Sequence, residues 1–99
     1  MNSIQLKIKL ATINPQTLES ETLKITGNCQ FMFKENSAYR VQTLAYSAIG
    51  KVAEYLQQAG TNSIHAIVGS LDIYPPNDTN RNHNAVLFVK QALLSLPST

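Results

Sequence analysis

Two groups of residues in this 99-residue chain have types and spacing that could do chemistry. The first is a polar run from Asp72 to Asn84 that contains Asp78, Arg81 and His83 and leads into an expected helix. Free N–H groups at a helix start, with a guanidinium beside them, can hold an anion. A histidine near a carboxylate can act as an acid–base pair. No glycine-rich phosphate cradle and no nucleophile elbow accompanies these residues. Ordinary helix capping by Asp78, Thr79 or Asn82 accounts for the run more simply.

The second group is four lysines, Lys7, Lys9, Lys24 and Lys34. They alternate with apolar residues on two expected strands. If those strands pair, all four point to one side with Gln5, Thr22, Thr26 and Gln30. Ammonium groups on a flat face can neutralise phosphates. A surface that reads bases also needs rings for stacking, and Phe31 and Phe33 fall on the opposite face. The expectation is therefore weak contact with a nucleic-acid backbone at most. A solvated face whose lysines discourage edge-to-edge pairing is preferred, in keeping with a net charge of only +2.

His65, His83 and Cys29 show no zinc-ligand spacing. A lone cysteine forms no intramolecular disulfide, and Cys29 reads as a small core hydrophobe. No cofactor, metal or catalytic residue is assigned, and the chain is read as leaning away from enzymes.

The elements that must position these residues follow from periodicity. Ile4, Leu6, Ile8 and Leu10 alternate with Gln5, Lys7 and Lys9, which predicts a half-buried strand. Asn14-Pro15 turns the chain. Between Thr22 and Lys34 the odd positions Leu23, Ile25, Gly27, Cys29, Phe31 and Phe33 share a face. This predicts one long strand with a bulge or bend at Gly27, because a two-residue turn at Gly27-Asn28 would mix the faces. From Ser37 to Ala59, the residues Val41, Leu44, Ala45, Ala48, Ile49, Val52, Leu56 and Ala59 recur at helical spacing. Asn36 or Ser37 serves as the N-cap and Gly60 as the C-terminal stop. Ile64–Tyr74 reads as a strand ended by Pro75-Pro76. A second helix is expected from about Arg81 or Asn84 to Leu96, with a strand across Ala85–Val89 as the minority alternative.

The order ββαβα predicts one α+β domain over residues 1–99: a two-layer sandwich, with a small, mostly antiparallel sheet carrying two helices on one face. Each expected helix keeps apolar residues away from its core stripe: Tyr39, Tyr46, Gly50 and Ala53 on the first, Leu87 and Leu94 on the second. These six are the expected interaction surface. The main functional expectation is thus a non-catalytic interaction module paired with itself or another protein. Backbone binding of nucleic acid is the first alternative. A small enzyme or anion-binding protein using the Asp72–His83 loop is the second. Charged residues make up 14% of the chain, below the usual ~25%, which slightly favours association. No apolar run reaches membrane-span length, and the alternating N-terminal residues do not read as a leader. No membrane partner and a cytoplasmic location are expected.

Overall fold

The computed structural model describes residues 3–74 and 84–96. Its elements are β1 (Ile4–Leu10), β2 (Asn14–Thr17), β3 (Leu23–Glu35), β4 (Ala38–Ile49), α1 (Lys51–Ala59), β5 (Ile64–Tyr74) and β6 (Asn84–Leu96). Hydrogen bonding runs β1-β5-β6-β4-β3, and β3 returns to β1 through Lys9–Gln30 and Leu10–Cys29. Five strands therefore close into a barrel, with short β2 added along the outside edge of β3. Every pairing is antiparallel except β4 with β6.

This overturns the two-helix α+β sandwich. The expected helix over Ser37–Ala59 is a strand for its first half. Asn36 and Ser37 take φ values of 51° and 67°; they form the two-residue turn of a long hairpin, which requires positive φ at both central positions. Their polar side chains had read as a helix cap. The run that follows contains Tyr39, Val41 and Thr43, residue types suited to a pleated strand. Leu44, Tyr46 and Ala48 satisfy a period of two as well as Val41, Leu44, Ala45 and Ala48 satisfy a period near 3.6, and the even set is the one that faces the core. Gly50 is not inside a helix. It sits between β4 and α1 with φ 80°, where its N–H donates to the Leu23 carbonyl (2.8 Å) and its carbonyl accepts from the Glu54 N–H (3.0 Å). The helix is nine residues long and stops at Gly60 as expected, although Gly60, at φ 87° and ψ 177°, does not take the left-handed conformation usual at that position.

The second expected helix is β6. An apolar run with little polar relief fits a strand packed on one side and partly covered on the other as well as it fits a buried helix. Pairing with β5 and β4 selects the strand, and Leu87 and Val89 point inward. β1, β3 and β5 lie where alternation places them.

The core lies inside the barrel: Ile8, Leu10, Ile25, Cys29, Tyr46, Ala48, Ile67, Leu87 and Val89, with Ala53 and Leu56 from α1. Among the described residues no helix is long and apolar enough to cross a membrane.

Candidate functional site

β3 and β4 are longer than the barrel they help to close. The pairing of β3 with β1 ends at Lys9–Gln30, and that of β4 with β6 covers Ala45–Ala48. Phe31 to Gln42 therefore continues as a two-stranded arm. The hairpin register places Lys24 opposite Ile49, Thr26 opposite Ser47, Asn28 opposite Ala45, Gln30 opposite Thr43 and Met32 opposite Val41. These pairs form the outer face, because the intervening pairs Ile25–Ala48, Gly27–Tyr46 and Cys29–Leu44 point into the barrel. On the arm this face carries apolar side chains with no cover: Met32 is 63% exposed, Tyr39 72% and Val41 59%.

Where β1 and β3 part, a groove of about 360 Å³ opens. Lys7, Lys9, Gln30, Met32 and Val41 line it, with Ile8, Phe31 and Ile64 completing the wall. It combines two ammonium groups, an amide and aliphatic surface. At the arm, Arg40 Nε lies 3.1 Å from Glu35 Oε1, with both side chains more than half exposed. Such a pair adds little stability, and it neutralises one cation beside the face.

Below the arm, the link between β1 and β2 is stitched across β3. The Ala11 and Thr12 N–H groups donate to the Asn28 carbonyl (2.9 and 3.1 Å). The Asn28 N–H donates to Thr12 Oγ1 (2.8 Å), and the Tyr46 hydroxyl donates to the Thr12 carbonyl (2.8 Å). Burial pushes the Tyr46 hydroxyl up to about 12, with Cys29 adding to the rise, so Tyr46 remains a donor. Gly27 has φ 156°, and a Cβ there would run into the Thr12 carbonyl and stand 2.7 Å from Thr12 Oγ1. The bulge expected at Gly27 is not there, since Gly27 pairs with Tyr46 in unbroken register, and its missing side chain makes room for this crossing instead. Burial also pushes the Cys29 thiol up to about 12, which makes it inert as a nucleophile.

The buried pair Ser63 and His65 resembles nucleophile and base only on paper. Ser63 Oγ donates to the Gly60 carbonyl, so at 2.8 Å it accepts from His65 Nε2. That assigns the proton to Nε2 and leaves Nδ1 a buried acceptor without a partner. Burial lowers the His65 pKa, keeping the ring neutral. His65 is 0% exposed, so no substrate reaches it. Among the described residues no group of three or more His, Cys, Asp or Glu could hold a metal.

The residues singled out from sequence divide sharply. Lys7 and Lys9 meet at the groove. Lys24 stands on the same outer face at its far end, and the backbone of Lys34 pairs with Tyr39. Tyr46, Ala53 and Leu87 belong to the core, and Gly50 is a junction. Tyr39 is open on the arm. The side chain of Leu94, and Asp78, Arg81 and His83 altogether, lie outside the described residues. Sequence reasoning did not join Met32, Val41 and Thr43 into one face, because a helix starting at Ser37 put Val41 on a core stripe and left Met32, on the even side of the long strand, without its cross-strand partner. The signal that could have found them was Asn36-Ser37 between two alternating runs.

No family model matches this sequence, and no curated protein matches it. Solved structures do. The PriB protein of Ralstonia solanacearum aligns with a TM-score of 0.70 at 13% identity, covering 94% of this chain and 96% of that one. A small single-stranded DNA-binding protein of Streptomyces coelicolor aligns at 0.61 and 12% identity, covering 96% and 92%. One from Mycoplasma pneumoniae aligns at 0.58 and 12%, covering 95% and 93%. The fold is shared. It is the five-stranded barrel of the oligonucleotide- and oligosaccharide-binding type.

These findings overturn the main expectation, a protein-interaction module, in favour of the first alternative. Three of the six residues on which it rested fill the core, and the neighbours in shape include proteins named for binding single-stranded DNA.

Proposed function

We propose that this chain binds single-stranded nucleic acid along the outer face of β3 and β4. One observation carries the reading: Tyr39, Met32 and Val41 stand uncovered on the arm beside a groove flanked by Lys7 and Lys9. Barrels of this type bind oligonucleotides on the corresponding pair of strands, and the names of the Streptomyces and Mycoplasma neighbours support the same class of ligand. Unpaired bases expose two faces. One can stack on the Tyr39 ring, and aliphatic surface at Met32 and Val41 can cover the next. Lys7, Lys9 and Lys24 offer positive charge to phosphates, while Thr26, Asn28, Gln30 and Thr43 offer hydrogen bonds to base edges. A duplex hides its base faces and forfeits the stacking part. The expected site of action is the cytoplasm, and a second copy of the chain remains a proposed partner to be tested by light scattering.

Fluorescence anisotropy with a labelled oligothymidylate tests the proposal. Three phosphate contacts give a log–log salt slope near −2, at ~0.7 per contact for single strands. Saturable binding with that slope, poorly competed by duplex, is expected. No detectable binding at low salt overturns the reading.

A further inference from the structure

A second groove, of about 280 Å³, lies between α1 and β6 and is lined by Lys51, Val52, Tyr55, Lys90, Gln91 and Ala92. We infer that it is an extension of the nucleic-acid path, holding the stretch of strand that leaves the β3–β4 face. This inference rests on the single-strand reading given above.

The chemistry of the groove favours that occupant. Lys51 and Tyr55 are four residues apart on α1, so they stand one above the other on the same side of the helix. Lys90 and Gln91 come from β6. Two ammonium groups suit phosphates, the Gln91 amide suits a base edge, and the ring of Tyr55 suits a base face. Tyr55 is 43% exposed. Its ring meets the buried His65 ring edge-on, with centroids 5.7 Å apart and planes at 71°, so the exposed ring is held in place rather than free to swing. Glu54, next in the chain to Tyr55, is exposed and is not among the residues that line the groove.

Continuity with the first face is the second argument. Ile49, 51% exposed, ends the outer face of β4 opposite Lys24. Gly50 turns the chain, and Lys51 begins α1. Two Cα–Cα steps place Ile49 and Lys51 within about 7 Å. A strand that has passed Lys24 therefore meets Lys51 next, and Tyr55 one helical turn further on.

The test uses oligothymidylates of about 6 and about 16 nucleotides, within the range of site sizes that one such barrel covers. The double variant Lys51→Gln/Lys90→Gln is expected to bind the short oligonucleotide like the parent. It is expected to bind the long one roughly tenfold more weakly, with a salt slope flatter by about 1.4. Lys51→Arg/Lys90→Arg keeps both charges and is expected to retain long-oligonucleotide binding. Equal loss at both lengths, or no loss at the long one, overturns the extension while leaving the β3–β4 face in place. A parent protein that binds neither length overturns the reading beneath it.

Discussion

The waist of the barrel and the arm of its hairpin are built from the same two strands and treat side chains in opposite ways. At the waist, the crossing of Thr12 over Gly27-Asn28 pairs its polar groups internally: the Thr12 carbonyl with the Tyr46 hydroxyl, Thr12 Oγ1 with the Asn28 N–H, and the Asn28 carbonyl with two N–H groups. The aliphatic residues there are inside. A few residues along, the arm presents Met32, Val41 and Tyr39 with nothing over them. A chain able to bury Tyr46 completely had no general need to leave Tyr39 open. The contrast assigns architecture to the waist and recognition to the arm, so stability and affinity should be separable by mutation.

The largest effect should come from the waist. Gly27→Val places atoms where the Thr12 carbonyl stands. The cost should be about 3 kcal/mol or more, by overpacking plus backbone strain, with a fall in Tm of roughly 12 °C or more at ~4–8 °C per kcal/mol for a domain of this size. Thermal unfolding by circular dichroism reads it directly. An unaltered Tm would mean that the two segments do not cross so closely.

The arm should answer in the other measurement. Tyr39→Ala should weaken oligothymidylate binding by about 1–3 kcal/mol, the range for loss of one base–aromatic stack, and move stability by no more than about 0.5 kcal/mol. Loss of stability with unchanged affinity would reverse the assignment of the two regions.

How much of this was legible follows the same division. Alternation in Ile4–Leu10 and in Leu23–Phe33 needs no partner to be read, so β1, β3 and the special place of Gly27 were visible, as was the common side of Lys7 and Lys9. The arm was not. Val41, Leu44, Ala45, Ala48 and Ile49 fit helical spacing, and Gly50 ends their strand only because the Leu23 carbonyl is there to receive its N–H. That bond links residues far apart in the chain, so no local pattern contains it. Leu87 likewise looked like surplus apolar surface until β5 and β4 enclosed its strand. Closure is a long-range property. Without it, two strands read as helices and three core residues as an interface.

Acid should destabilise the barrel through buried His65. Burial holds the His65 pKa below its ordinary 6.5, so between the two values the unfolded chain binds a proton that the folded chain does not. Stability is therefore full above about pH 6.5 and falls as the pH drops through the folded pKa, with a limiting slope of about 1.4 kcal/mol per pH unit. Urea midpoints at pH 7.5 and 5.5 should differ in the parent and converge in His65→Leu, against its own lower baseline. Identical pH profiles in the two proteins would show that another group drives the loss.

Tyr46→Phe makes a finer cut at the waist. It keeps the ring in the core and removes the hydroxyl that meets the Thr12 carbonyl. A cost of about 1–2 kcal/mol is expected for an acceptor left without its donor, with oligonucleotide affinity unchanged under conditions where the protein is folded. A parallel fall in affinity would mean that the waist shapes the binding face and that the two regions are coupled.

The smallest effects should separate the lysines from one another. Lys7 and Lys9 flank the groove beside the arm, whereas Lys24 stands at the far end of the same face. Each side chain changed singly to Gln should leave Tm in place and flatten the salt slope by ~0.7, the value for one lost phosphate contact on a single strand. The dependence on length should differ. An oligonucleotide too short to span the face and centred on Tyr39 should feel Lys7 and Lys9 but not Lys24. Equal sensitivity to all three at the shortest length would place the bound strand across the barrel rather than along the hairpin, and Tyr39 would lose its role as the anchor.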